Sequence, residues 1–145
     1  MADHYPKQQV GVADGTKTPA DRADGREVNA KRRSILASKV TGTAWASGDR
    51  VFLGKKPQGY KLTDVKVCAS ASLGTSTLDV GDADTANKYV AGATMTTADV
   101  PTSIGPKAST LAADPGAAED LWLTIGVAAI VAGTELTVNL EFTGL

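Results

Sequence analysis

Histidine and cysteine, which often carry nucleophilic or metal chemistry, each occur once in this chain. His4 lies in a charged N-terminal segment, so a His-based triad or a His-dependent metal site would require that segment to fold back. Cys68 lies in a segment typical of a β-strand, with Lys66 on the same predicted face. A reactive cysteine needs an activating base or cation and partial exposure. Because no general base is visible beside it, a structural role is favoured for Cys68.

An acidic segment carries side-chain oxygens of the kind that Ca²⁺ binds, at Asp79, Asp82, Asp84 and Asn87. Their spacing matches no EF-hand loop, and no bidentate glutamate closes the segment. Aspartate and asparagine also form turns by hydrogen bonding to their own backbone. A turn is therefore favoured, weak Ca²⁺ binding stays open as the alternative, and we predict no cofactor.

The segment Leu53–Pro57, in which a glycine precedes two lysines, is the nearest feature in the chain to a phosphate-binding loop. The segment lacks the spacing of such a loop, and no Gly-Lys-Ser/Thr or Gly-x-Gly-x-x-Gly motif occurs in the chain. We interpret it as a hairpin turn with solvated lysines. With no plausible acid–base set in the sequence, we predict that the protein is not an enzyme.

Residues 1–32 differ in composition from the rest of the chain. They are dense in charge, and their only aliphatic residues larger than alanine are Val10, Val12 and Val28. Such a segment buries too little apolar surface to offset the entropy of ordering. We predict a flexible or extended N-terminal arm, either disordered or ordered on a neighbouring subunit.

Residues 33–145 have the pattern of a single β domain, in which short alternating segments are separated by turn residues. We expect a bulge near Thr63–Asp64, where the alternation changes face. Residues 100–116 are predicted to form a long loop with at most one weak strand. The predicted strands are Ser34–Val40, Arg50–Leu53, Tyr60–Ala69, Ser76–Val80, Lys88–Ala91, Leu121–Val127 and Leu136–Phe142.

The last two strands, joined through Ala132–Gly133, are predicted to form an antiparallel hairpin. No long amphipathic helix is found, and the best helical candidate, Ala117–Asp120, is about one turn long. Strands at this spacing indicate a sandwich or a barrel. The domain size favours an all-β fold with an antiparallel two-sheet sandwich.

Charge is uneven along the chain although the net charge is only −1. Residues 31–66 hold nine basic and two acidic residues, whereas residues 79–145 hold two basic and nine acidic ones. The fold either mixes these charges or presents a bipolar surface that steers docking. The small net charge gives no case for a nucleic-acid or membrane partner. The longest apolar run, Ile125–Ala132, is too short for a membrane helix, and no signal peptide is expected at the start.

Candidate residues for partner contact are the basic cluster that joins the arm to the domain and one tryptophan. They are Arg26, Lys31, Arg32, Arg33 and Trp45. Trp122 is predicted to point away from the face of Leu121 and Leu123, and either packs under a loop or anchors an interface.

The segments Ser76–Gly81, Asp82–Ala93, Asp120–Gly126 and Gly133–Val138 resemble the jelly-roll cement, or decoration, proteins of tailed-bacteriophage capsids. The resemblance covers residues 33–145 and implies a jelly-roll sandwich. It also implies a virion protein, made in the host cytoplasm, that binds the outer surface of an assembled capsid. There it would straddle junctions between major capsid protein subunits as a dimer or trimer, with no nucleic acid and no membrane as partner.

Two other classes of function remain open on the sequence. One is another virion component, such as a head fibre, a tail protein or a head–tail joining protein, which shares the β-rich composition without catalytic residues. The other is a carbohydrate-binding module, although two tryptophans and three tyrosines supply few aromatic platforms.

Overall fold

A computed structural model of the chain describes residues 31–39 and 42–144. The predicted arm, apart from its last two residues, lies outside these ranges. The described part contains strands β1 (Lys31–Ser38), β2 (Arg50–Lys56), β3 (Lys61–Ala69), β4 (Thr77–Gly81), β5 (Val90–Thr94), β6 (Thr102–Gly105), helix α1 (Ala108–Ala112), β7 (Glu119–Gly126) and β8 (Leu136–Gly144). Strand β1 thus begins at Lys31, within the segment assigned to the arm.

The strands form two antiparallel four-stranded sheets that pack face to face. Sheet one has the order β1-β8-β3-β6 and sheet two the order β2-β7-β4-β5. The first strand pairs with the eighth, the second with the seventh, the third with the sixth and the fourth with the fifth. This is the jelly-roll arrangement of a long hairpin rolled into two sheets. The predicted all-β sandwich of the jelly-roll kind is confirmed.

The period-two alternation of the sequence builds the core, because successive side chains of a strand point to opposite faces. In β8, Leu136, Val138, Leu140 and Phe142 are each at most 2% exposed, while the residues between them lie on the outer face. In β7, the buried residues are Leu121, Leu123 and Ile125. These two strands supply much of the apolar surface on which the sheets meet.

The predicted hairpin between the last two strands is wrong. β7 pairs with β2 and β4 in sheet two, whereas β8 pairs with β1 and β3 in sheet one. The connection over residues 127–135 crosses from one sheet to the other. Alternation specifies which face of a strand is buried, but it is the same whether the next strand lies alongside or in the opposite sheet.

Other expectations are settled by the register. The bulge near Thr63–Asp64 is confirmed, because the pairing of β3 with β8 shifts between Leu62 and Asp64. The region 100–116 contains the expected strand, β6, and also the short helix α1. The candidate helical turn at Ala117–Asp120 is wrong, since β7 begins at Glu119.

Gly81, the last residue of β4, has no room for a side chain. A Cβ atom there would lie 1.9 Å from the carbonyl oxygen of Thr85 and 2.6 Å from that of Ala86. Both neighbours are backbone atoms of the turn that follows, so a larger residue has to displace the turn itself.

We expect Gly81→Ala to lower the free energy of unfolding by about 3 kcal/mol or more, because overpacking against fixed backbone is costly. Gly133→Ala is the matched control, since a Cβ there meets nothing within 4 Å. Urea denaturation of both variants measures the difference, and equal stabilities would contradict the close packing of this turn.

Candidate interaction surfaces

The loops gather at the two ends of the sandwich because consecutive strands run in opposite directions. We call one end the charged end; it is formed by the start of β1, the end of β8 and residues 57–60, 82–89 and 106–118. We call the other end the valine end; its described residues are 39, 42–49, 70–76, 95–101 and 127–135. Ion pairs dominate the charged end, whereas the valine end exposes large aliphatic side chains.

At the charged end, Glu119 forms the centre of a polar network. Its carboxylate accepts hydrogen bonds from the ammonium of Lys88 and the hydroxyl of Tyr89, and it lies 3.2 Å from the ammonium of Lys56. Burial of Tyr89, together with its hydrogen bond to Glu119, raises the pKa of that phenol. The network joins β7 to β2 and to the turn before β5.

The side chain of Lys56 is 3% exposed, and its charge is fully engaged. Besides Glu119, its ammonium donates to the carbonyl oxygens of Pro115 at 2.6 Å and Ala117 at 2.9 Å. A buried ammonium is tolerated only with such partners. The interpretation of Lys56 as a solvated lysine of a hairpin turn is wrong, because this side chain is buried and anchors the loop that precedes β7.

The acidic segment folds as a turn. The carboxylate of Asp82 accepts hydrogen bonds from the backbone N–H groups of Asp84 and Thr85, and Asp79 accepts one from Gly92. Lys88 lies 2.8 Å from Asp82. Its hydrogen bond, against a smaller opposing effect of desolvation, lowers the pKa of Asp82 to about 2.

The outer face of sheet one carries an open groove of about 750 Å³, and an ion cluster is part of its lining. The ammonium of Lys66 lies 3.0 Å from both Asp64 and Glu141, and these hydrogen bonds raise its pKa. Partial burial opposes ionisation of Asp64, but hydrogen bonds from Ser103 and Lys66 outweigh it and lower its pKa. Lys66 is therefore held between two carboxylates, and Cys68 is a partly buried free cysteine on the same strand.

The outer face of sheet two carries a cluster of aromatic and cationic side chains. The guanidinium of Arg50 lies 4.9 Å from the ring centre of Trp122, and the ring of Phe52 meets Trp122 edge-on at 5.2 Å. Trp122 therefore points away from the core, as predicted, and contacts side chains of the neighbouring strand β2. Phe52 is 51% exposed.

The residues predicted to contact a partner are not all brought together. Arg26 lies outside the described residues, and only the backbone of Lys31 is described, in β1. Arg32 is exposed and lines the groove on sheet one, whereas the guanidinium of Arg33 lies 5.0 Å above the ring of Tyr60.

Trp45 lies at the valine end, opposite to the basic cluster. Its backbone forms an isolated β-bridge with Ile130, and its ring is partly buried against the core. The ammonium of Lys39 lies 5.8 Å from the ring centre. Trp45 therefore has a structural role in addition to any role in contact.

The topology mixes the basic first half of the chain with the acidic second half. β2 lies beside β7, so Lys55 and Lys56 face Asp120 and Glu119, and Lys66 of β3 faces Glu141 of β8. Pairs of opposite charge therefore form across the sheets. This supports the interpretation in which the fold mixes the charges of the two halves.

Within the described ranges, no group of three or more His, Cys, Asp or Glu side chains is arranged to hold a metal ion. In the same part of the chain, no helix is long and apolar enough to cross a membrane.

Two solved phage structures contain chains of this fold. One is the "Cyanophage Pam1 capsid asymmetric unit", with a TM-score of 0.56 and 16% identity over 92% of this chain and 100% of the other. The second is the "Capsid of Ralstonia phage GP4", with a TM-score of 0.62 and 16% identity over 79% of this chain and 85% of the other. The chain has a fold found in phage capsids. No protein-family model and no curated protein sequence matches it.

The lowered pKa of Asp82 predicts a pH-dependent contribution to stability. A carboxyl group whose pKa is about 2 in the folded chain and about 3.9 in the unfolded chain stabilises the fold above about pH 4, and the contribution is lost as the pH falls toward 2. We expect Asp82→Asn to lower the free energy of unfolding at pH 7 by about 1 kcal/mol, allowing for solvent screening at this partly exposed site.

Urea denaturation of wild type and Asp82→Asn from pH 7 to pH 2 measures this, and the two stabilities should converge below pH 4. Asp84→Asn is the control in the same turn, because its side chain is exposed. A constant difference between wild type and Asp82→Asn at every pH would contradict the ion pair with Lys88.

Proposed function

We propose that this chain is a virion structural protein that binds the outer surface of an assembled phage capsid and stabilises contacts between major capsid subunits. The observation that carries the proposal is the jelly-roll likeness to chains of phage capsid structures, which spans 92% of this chain in one case. The resemblance of residues 33–145 to cement proteins supports the same function.

The mechanism in this proposal is thermodynamic linkage and involves no catalysis. A protein that binds the assembled shell and not its free subunits stabilises the shell by mass action. Weak contacts that repeat over a symmetric shell add together when the protein contacts two subunits at once. A dimer or trimer of the chain would multiply these contacts further.

The proposed contact begins in residues 1–32 and continues onto the start of β1. We infer that the arm docks on a capsid subunit through the basic residues Arg26, Lys31, Arg32 and Arg33. Arg32 supports this role because it is exposed and lines an open groove next to the start of β1. Trp45 is the one proposed contact at the opposite end of the domain.

Purified protein mixed with shells of its source phage that lack it should cosediment to saturation. Bound shells should also melt at a higher temperature than bare shells, because binding is linked to the assembled state. Calorimetry of shells with and without the protein measures this shift. Absence of shell binding, or saturation at only the few copies per particle that form a single ring, would instead favour a joining or fibre protein.

The basic contact predicts an effect of charge removal. The double variant Arg26→Gln/Arg32→Gln should bind shells roughly tenfold more weakly, since each exposed ion pair contributes up to about 1 kcal/mol. It should also show a weaker dependence of binding on salt. Lys55→Gln is the matched control, because it neutralises an exposed lysine on sheet two. Equal binding by both variants would exclude the basic cluster as a contact with the shell.

A further inference from the structure

The valine end exposes three large aliphatic side chains. Val127 is 72% exposed, Val131 is 65% exposed and Val100 is 47% exposed. Two of them stand on the connection between β7 and β8, which crosses the end of the sandwich. Three of the six exposed large hydrophobic residues in the described part of the chain thus lie in loops of the same end, which makes this end a candidate interaction site.

The connection that carries these valines is held by contacts from three residues outside it. The hydroxyl of Ser76 donates to the carbonyl oxygen of Ala128 at 2.9 Å, and Trp45 forms its β-bridge with Ile130. The ammonium of Lys39, a buried residue, donates to the carbonyl oxygen of Ala132 at 3.1 Å. The valines are therefore presented on a fixed backbone, which reduces the entropy lost on binding.

The backbone at Val127 is strained. Its φ angle is +64°, in the left-handed region that β-branched residues rarely adopt. The N–H of Ala128 donates to the carbonyl oxygen of Gly126 at 2.8 Å, which closes a γ-turn of the rare, strained form. Glycine or asparagine would fit this turn at lower cost. A strained turn that displays an exposed valine suggests that the side chain is used.

The charges around the valines determine the kind of partner that fits. The described loops of this end hold three exposed carboxylates, at Asp49, Asp99 and Glu135. Their one lysine, Lys39, is buried and engaged with Ala132. Arg50, at the start of β2, lies over Trp122 on the outer face of sheet two. Loops that combine exposed valines with exposed carboxylates complement an apolar depression that has basic side chains beside it.

We propose that the valine end docks into such a depression on a capsid subunit different from the one that the basic cluster contacts. This inference rests on the proposed function and deepens it. The two ends are separated by the length of β8, which is nine residues or roughly 30 Å. A sandwich that is bound at both ends links two neighbouring subunits, which is the role of a cement protein in the proposed function.

The test uses Val127→Asn in the full-length protein, because this variant has two predicted effects of opposite sign. Asparagine tolerates the left-handed backbone, so the melting temperature of the free protein should rise by about 2–4 °C. Loss of the apolar side chain should weaken binding to shells that lack the protein by at least tenfold, measured by cosedimentation. Val131→Ser, outside the strained turn, should weaken binding without raising the melting temperature.

Leu36→Thr is the matched control, because Leu36 is 68% exposed on the outer face of β1 and lies outside the valine end. It should bind shells like the wild type. Normal binding by Val127→Asn and Val131→Ser would overturn the valine end as a docking site while leaving the proposed function intact. Failure of the wild type to bind would overturn the proposed function itself. If the free protein self-associates and Val131→Ser abolishes that association, the partner of the valine end is a second copy of this chain and not a capsid subunit.

Discussion

The central position of β8 in sheet one is the constraint on which the rest of the structure depends. The strand pairs with β1 on one side and β3 on the other, and Phe142 and Leu140 on its inner face are completely buried. The C-terminal strand therefore closes a sheet that the first described strand begins. The long-range strand pairs are nested, because β1–β8 encloses β2–β7, which encloses β3–β6 and β4–β5 along the chain. The loops at both ends are fixed by this nesting.

The sequence predicts the faces of the strands better than their neighbours. Alternation in β7 and β8 predicts their buried residues, and the change of face at Thr63–Asp64 predicts the bulge. It does not predict that these two strands lie in different sheets, because burial of one face is compatible with either pairing. The ammonium of Lys56 donates hydrogen bonds to the carbonyl oxygens of Pro115 and Ala117, which lie 59 and 61 positions further along the chain. No local pattern signals such contacts, nor the strained backbone of Val127.

The two ends of the sandwich use charge differently. At the charged end, the carboxylate of Glu119 pairs with Lys56 and Lys88, so these charges are engaged inside the network, whereas Arg32 at the start of β1 is exposed. At the valine end, the buried Lys39 fixes the loop that displays Val127 and Val131. Ionic contacts stabilise the domain internally at one end, while apolar side chains remain exposed at the other. The proposed linkage of two capsid subunits requires two such distinct surfaces.

The most direct test of this account is electron cryomicroscopy of shells saturated with the protein. The account predicts density at regular lattice positions on the outer surface, with the sandwich lying across a junction and its charged and valine ends on different capsid subunits. Density confined to one vertex or to the tail would contradict the cement function. Density at lattice positions that touches the shell through one face of the sandwich alone would contradict the linkage of two subunits by its two ends.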